Sequence, residues 1–129
     1  MRLHTGWTAS DPRVVEASRP LAAMIPSYGT DVRKTRDSYL WYYASQVLVH
    51  TGGEPWDAWY RGLVRTLSDT QETRGPRAGS WDPLGATPDR WGKYGGRVYV
   101  TALHLLALEV PYRHLPTYAA AGGEPQKQA

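Results

Sequence analysis

Hydrophobic residues recur at helical spacing in four segments of this chain, and glycine and proline residues separate those segments. The first predicted helix spans residues 10–26, opens with an N-cap candidate followed by a proline, and contains Pro20, which predicts a kink. The third spans residues 54–73 and carries apolar side chains on one face and charged side chains on the other. Both segments are therefore predicted to be amphipathic helices that face solvent.

The second and fourth segments, residues 37–50 and 97–114, are apolar nearly all round, a pattern typical of helices with neighbours on several sides. A loop rich in glycine and proline, residues 74–96, separates the third segment from the fourth. No segment shows the alternating pattern of a strand. The chain is thus predicted to be all-α, with outer and inner helices alternating in one domain, residues 1–118, followed by a flexible tail, residues 119–129.

The composition excludes several classes of function. At 129 residues the chain is long enough for one domain, and its net charge of +3 comes from interleaved acidic and basic residues, which argues against nucleic-acid binding. The absence of cysteine excludes disulfides, thiolate metal sites and a cysteine nucleophile within the chain. No apolar run approaches the about 18 to 20 residues that span a bilayer, and the N-terminus has no signal-peptide core. A soluble domain is expected, with its compartment undetermined and no cofactor indicated.

One stretch carries a motif. Residues 61–81, RGLVRTLSDTQETRGPRAGSW, place a basic residue and a glycine before a leucine, a glutamine, a second glycine and a tryptophan: Arg61, Gly62, Leu67, Gln71, Gly79 and Trp81. This order resembles the QW motif of squalene and oxidosqualene cyclases. Thr66 stands where the motif has an aromatic residue, and the spacing between Gln71 and Gly79 is longer than usual.

The flanking segments extend the resemblance. SYLWYYASQVLVHTGGEPWDAWYRGL upstream and WGKYGGRVYVTALHLLALEVPYRHLPTY downstream resemble the C-terminal portion of a bacterial squalene cyclase-like, prenyltransferase/squalene oxidase repeat family, over residues 6–118. The resemblance implies two outer/inner helix hairpins of an α/α toroid that do not close a ring. The expected partner is the missing upstream part of the toroid or a second copy. In such a ring Gln71 and Trp81 would brace an outer helix against its neighbour.

The residues with catalytic potential do not form a recognisable site. Related cyclases use an aspartate-rich DxDD acid, and related prenyltransferases bind zinc partly through cysteine; this chain has neither. Its four histidines lack the spacing that places two ligands on one helix face: His4, His50, His104 and His114. His104 is expected in the core. Asp82 and Asp89 suit turns and caps better than an acid/base pair. No catalytic or metal residue is assigned.

The aromatic residues suggest ligand sites. The chain has six Trp, nine Tyr and no Phe, so every ring carries a polar group. If the inner helices face a lumen, four of these residues would line an apolar cavity for an isoprenoid chain: Trp41, Tyr42, Tyr43 and Tyr99. Core packing is the alternative interpretation. Four tryptophans would serve as platforms in a glycan site, provided that an acidic residue shares the cleft: Trp56, Trp59, Trp81 and Trp91.

Three hypotheses about function follow. The preferred one is a non-catalytic, structural C-terminal portion of a squalene cyclase-like toroid. The first alternative is part of a terpenoid cyclase or prenyltransferase-like enzyme that binds a polyprenyl or triterpenoid substrate. The second is a self-associating interaction module, because the apolar faces of residues 41–49 and 98–108 would remain exposed without neighbouring helices.

Overall fold

The computed structural model describes residue 8, residues 10–29 and residues 36–113. These residues form five α-helices: α1 (Pro12–Ala23), α2 (Ser38–Thr51), α3 (Gly53–Thr70), α4 (Gly92–Leu108) and α5 (Val110–Arg113). A single 3₁₀ turn, Gly75–Arg77, lies between α3 and α4. The described residues contain one isolated bridge and no strand. The all-α prediction is confirmed at this level. The predicted tail, His4 and His114 lie outside the described residues.

Helix α2 is the centre of the packing, since it contacts α1, α3, α4 and α5. The core forms where its inward residues meet those of α3, α4 and the loop before α4. Its members are Trp41, Ala44, Leu48, Trp59, Leu63, Leu67, Trp81, Val100 and Ala107. The spacing of three or four residues within each helix is what places these side chains on a common face. A cluster of this size, with two fully buried indoles, provides most of the apolar burial of the fold.

The helix starts follow local capping rules. The Asp11 carboxylate accepts the Arg13 amide at the start of α1, and the Asp37 carboxylate accepts the Leu40 amide at the start of α2. Gly52 and Gly53, both with positive φ, separate α2 from α3 with almost no connecting loop. Pro20 lies inside α1, and the helix continues past it to Ala23.

Helix α4 begins earlier than the sequence pattern predicted. Its first turn starts at Gly92, and Gly96 then interrupts the helical backbone with φ 68° and ψ −166°, a conformation that glycine adopts readily. The regular part therefore starts at Arg97, the predicted first residue. The extra turn matters because it brings Trp91 and Tyr94 beside the start of α2.

The loop before α4 is held against α2 by backbone hydrogen bonds. Arg36 donates its amide to the Pro88 carbonyl (3.1 Å) and accepts the Arg90 amide (2.8 Å). Within the same loop, the Pro83 carbonyl accepts the Asp89 amide at 2.9 Å. No helix among the described residues is both long enough and apolar enough to cross a bilayer.

The close packing of Gly92 against the Pro83 carbonyl can be tested by substitution. It is buried, and a Cβ there would overlap the Pro83 carbonyl oxygen and lie 3.0 Å from its carbon. Because the obstacle is backbone, we expect Gly92→Ala to lower the free energy of unfolding by about 1 to 3 kcal/mol, measured by urea denaturation. The adjacent exposed substitution Lys93→Ala is the control and should change it by less than about 0.5 kcal/mol. Equal stability of the two variants would contradict the close approach.

Candidate functional site

A buried polar cluster joins the loop before α4 to α2 and α4. It comprises Arg36, Ser38, Asp89 and His104, all buried, and we call it the Ser38 cluster. Asp89 Oδ2 accepts both the amide and the hydroxyl of Ser38, at 2.9 and 2.6 Å. Ser38 Oγ lies 2.8 Å from His104 Nε2. Asp89 Oδ1 accepts the Trp91 amide at 3.0 Å, so one carboxylate organises the starts of two helices.

The hydrogen bonds assign the protonation state of the cluster. The Ser38 hydroxyl proton points to the Asp89 carboxylate, so His104 Nε2 must carry the hydrogen that it shares with Ser38. His104 is then a neutral imidazole, and its Nδ1 has no hydrogen-bond partner among the residues that the structure describes. Burial, and secondarily the nearby Arg36 guanidinium, lowers the pKa of His104 to about 3. The imidazole therefore stays neutral at physiological pH.

The trio of serine, histidine and aspartate is not arranged for nucleophilic catalysis. In a catalytic triad the histidine takes the serine proton and the aspartate orients the histidine. Here the Ser38 hydroxyl donates its hydrogen bond to Asp89, and His104 Nε2 donates to Ser38 instead of accepting from it. Ser38 and His104 also have 0% exposure to solvent. The geometry serves to fasten α2 and α4 together.

Aromatic rings surround the cluster. The His104 ring stacks on Trp41 at 5.7 Å between centroids and meets Trp81 edge-on at 5.1 Å. The Arg36 guanidinium lies 4.0 Å above the Tyr28 ring and donates to the carbonyls of Thr87 and Asp82. Burial lowers the pKa of Arg36 and raises the pKa of Tyr28. The rings thus exclude water from the polar bonds and strengthen them.

The glutamine-to-tryptophan stretch closes the loop that follows α3. Gln71 donates its side-chain amide to the Gly79 carbonyl at 3.1 Å, and Trp81 donates its indole N–H to the Leu67 carbonyl at 2.9 Å. Both bonds tie the loop back to the last turn of α3. Arg61 lies apart on the exposed face of α3, where it pairs with Glu54 at 3.2 Å.

Gly62 has a separate role in packing. A Cβ at this position would overlap the Ile25 side chain, so the missing side chain lets α3 approach the segment after α1. Of the six motif residues, the structure brings Leu67, Gln71, Gly79 and Trp81 together. It leaves Arg61 and Gly62 outside that group.

The aromatic residues proposed to line a cavity lie in three environments. Trp41 is in the core, and Tyr42 packs against the core. Tyr43 is half exposed and contacts Tyr39, with 4.5 Å between ring centroids; hydrogen bonding to Tyr39 raises the pKa of Tyr43. Tyr99 packs against the core on one side and lines a groove on the other.

That groove lies beside the first turns of α2 and α4. It is open to solvent, has a volume of about 770 Å³, and we call it the aromatic groove. Its lining comes from the starts of α2 and α4: Asp37, Tyr39, Arg90, Trp91, Tyr94, Gly95 and Tyr99. Burial raises the pKa of Tyr99, so its hydroxyl stays protonated at neutral pH. Tyr99 and Trp91 were predicted as ligand-site residues, whereas Tyr39, Tyr94 and the Asp37–Arg90 pair were not. The spacing of three residues between Trp91 and Tyr94, about one helical turn, is a signal in the sequence that indicates their proximity.

The other tryptophans and the remaining candidate residues lie elsewhere. Trp59 and Trp81 are fully buried, and Trp56 stacks on Tyr60 at 5.0 Å. Asp82 accepts the Leu84 amide, which lowers the pKa of Asp82 and fits a turn role. His50 lies in the last turn of α2. No group of three or more potential ligands among the described residues is placed to hold a metal ion.

Comparisons of the chain with protein-family models, with curated proteins and with solved structures find no match. The likeness to squalene cyclase-like proteins therefore rests on the sequence motifs described above and stays a prediction.

The neutral state of His104 predicts a pH dependence of stability. Its pKa is 6.5 when unfolded and about 3 when folded, so the unfolded chain binds the extra proton first as the pH falls. The stabilisation is complete above pH 6.5 and is lost progressively down to about pH 3. We expect the free energy of unfolding to fall by about 1.4 kcal/mol per pH unit within this window from His104 alone.

The control is His104→Gln, whose side-chain amide can still donate to Ser38 but does not titrate. Urea denaturation of both proteins between pH 7 and about pH 4 should show a shallower pH slope for the variant. Identical slopes would show that His104 is not held neutral by the fold.

The contribution of the Trp81 side chain to stability can be measured by substitution. Trp81→Phe removes the bond to the Leu67 carbonyl and leaves a void beside His104, so we expect a loss of about 2 kcal/mol in the free energy of unfolding. Trp56→Phe, at a partly exposed ring, should cost less than about 1 kcal/mol by the same urea measurement. A larger loss at Trp56 than at Trp81 would refute the assignment.

Proposed function

We propose that this chain is a structural, non-catalytic helical unit that packs against a further helical hairpin, as a C-terminal portion of a squalene cyclase-like α/α toroid would. One observation carries the proposal: helix α4 presents apolar side chains to solvent where a surface helix would present charged ones. The exposed residues are Val98, Ala102 and Leu105, which we call the α4 apolar surface.

The outward faces of α4 and α3 differ in the residues that they expose. Val98 is 82% exposed and Leu105 is 45% exposed, and their spacing along α4 places them with Ala102 on one face. The outward face of α3 instead carries exposed charged and polar residues: Asp57, Arg61, Arg65, Ser68 and Asp69. The outward face of α3 is thus suited to contact with solvent, whereas α4 carries apolar residues on opposite sides, as a helix packed between two neighbours does.

The surroundings of the α4 apolar surface fit a helix-packing role. The surface borders a shallow groove of about 410 Å³, whose other wall comes from the loop after α3, including Pro76, Arg77 and Ala78. A ridge of side chains from a neighbouring helix packs into a groove of this kind. Apolar groove walls with an arginine at the rim also match the usual anatomy of a protein interface.

The outer and inner pattern of the sequence supports a toroid as the setting. The α1 and α3 sequences are polar on one face, whereas those of α2 and α4 are apolar nearly all round, as in the layers of paired-helix rings. In that setting the partner is another hairpin of the ring; a second copy of the chain is the alternative occupant.

The second candidate function is part of a terpenoid cyclase or prenyltransferase-like enzyme. The position of Tyr99 in the aromatic groove favours it, since aromatic faces can hold an isoprenoid chain. The positions of Trp41 in the core, and of Tyr42 and Tyr99 against it, count against this candidate, because those rings are used in packing.

Val98→Lys tests the packing proposal without disturbing the core, because Val98 is mostly exposed. We expect the parent chain to bind an environment-sensitive hydrophobic dye or to associate in sedimentation velocity experiments. Val98→Lys should reduce either signal at least about threefold. Val64→Lys, on the outward face of α3 where Val64 is 36% exposed, is the control for an added lysine on another helix and should leave both unchanged.

Each result has a clear meaning. Association that Val98→Lys abolishes identifies a second copy as an occupant of the surface. A monomer whose dye binding depends on Val98 supports a different hairpin as partner. A monomer that binds no dye would overturn the proposal.

A further inference from the structure

We propose that the aromatic groove is a binding site for a neutral oligosaccharide, with Trp91 and Tyr94 as stacking platforms and the Asp37–Arg90 pair as the hydrogen-bonding contact. The glycan hypothesis of the sequence analysis requires a tryptophan and an acidic residue in one cleft. The structure places Trp91 and Asp37 in the same groove.

The platforms are available to a ligand. Tyr94 is 81% exposed, and Trp91 and Tyr39 each expose nearly half of their surface. A pyranose ring has one face made largely of C–H groups, which packs well on an aromatic face, while its hydroxyls point outward from the ring edge. Trp and Tyr are suited to such a ligand, because each combines a broad apolar face with one polar group.

The polar end of the groove offers both a donor and an acceptor. Arg90 Nη1 lies 3.7 Å from Asp37 Oδ2, and Arg90 Cζ lies 5.6 Å from the Trp91 ring centroid. Asp37 Oδ1 is engaged by the Leu40 amide, so Oδ2 is the oxygen that faces the guanidinium. Two adjacent sugar hydroxyls can donate to this carboxylate and accept from this guanidinium, because each hydroxyl does both.

The opposite charges of Asp37 and Arg90 favour an uncharged ligand that can both donate and accept hydrogen bonds. An isoprenoid chain has no hydrogen-bonding groups, so its binding would desolvate Asp37 and Arg90 without replacing their water contacts. An organic cation would be attracted by Asp37 but repelled by Arg90. A proline-rich peptide offers carbonyl acceptors and few N–H donors, so it can accept from Arg90 but has little to donate to Asp37. An uncharged polyhydroxylated ligand satisfies both side chains.

The size and shape favour a short oligosaccharide over a single sugar. The volume of about 770 Å³ falls within the range of roughly 300 to 1,000 Å³ typical of small-molecule sites, and the groove is open to solvent, so a chain of sugars can extend beyond it. The aromatic groove shares no residue with the α4 apolar surface. The inference therefore does not rest on the proposed function.

The test is a titration of the full chain, labelled with ¹⁵N, with maltotriose, cellotriose and tri-N-acetylchitotriose, followed by NMR. We expect at least one trisaccharide to shift the indole N–H signal of Trp91 saturably, with a dissociation constant of about 1 mM or below. The indole signals of the buried Trp59 and Trp81 should move little and serve as internal references.

Three variants define the site. Tyr94→Ala removes a platform and should weaken binding at least about tenfold. Asp37→Asn keeps the cap of α2, since asparagine caps as well as aspartate, but it removes the charged acceptor and should weaken binding about fivefold. Tyr112→Ala removes an equally solvent-accessible tyrosine, 72% exposed and outside the groove, and should leave binding unchanged.

Several results would overturn the inference. One is the absence of any Trp91 shift with all three trisaccharides. Another is a shift with farnesol or with a decaproline peptide in place of the sugars, which would identify an isoprenoid or a peptide as the ligand. A third is sugar binding that Tyr94→Ala and Asp37→Asn leave intact.

Discussion

The Asp89 carboxylate is the contact on which the arrangement of α2 and α4 depends. It accepts the amide and hydroxyl of Ser38 and the amide of Trp91, so one side chain holds the first turn of α2 and the residue before α4. The Ser38 hydroxyl oxygen is in turn hydrogen-bonded to His104 in the middle of α4. The loss of one of these donors would leave a buried polar group without its partner, which is costly in a water-excluded site. The cluster thus specifies one register between loop and helices.

The unusual aromatic composition has a structural use. With no phenylalanine in the chain, several rings of the core also make a directional bond: Trp59 to the Ser45 hydroxyl, Trp81 to the Leu67 carbonyl, and Tyr60 to the Leu108 carbonyl. Each bond joins residues from different elements or closes a loop. The core therefore gains orientation from hydrogen bonds as well as energy from apolar burial. The same residue types, where they reach the surface, produce the aromatic groove.

The surface features separate two kinds of recognition. The α4 apolar surface offers area without polar groups, which suits a helix of another hairpin. The aromatic groove combines ring faces with a donor and an acceptor, which suits a small polar ligand. The Ser38 cluster, although it contains the residue types of a hydrolase, takes part only indirectly. Asp89 positions Trp91 in the aromatic groove, whereas Ser38 and His104 are committed to internal bonds and have no exposure to solvent.

The helices and their polarity could be predicted from the sequence, because periodicity and capping are local properties: Asp11, Asp37 and the glycines at 52 and 53 mark helix boundaries in both sequence and structure. The sequence also predicted that α4 would carry apolar residues nearly all round. Which rings are buried and which are exposed depends on how the helices pack, since Trp41 and Tyr43 lie on the same helix but on different faces of it. The pairing of Asp37 with Arg90, and of Ser38 with Asp89 and His104, joins residues about 50 or more positions apart. Such contacts depend on how α2, α4 and the intervening loop pack, a choice that no local pattern encodes.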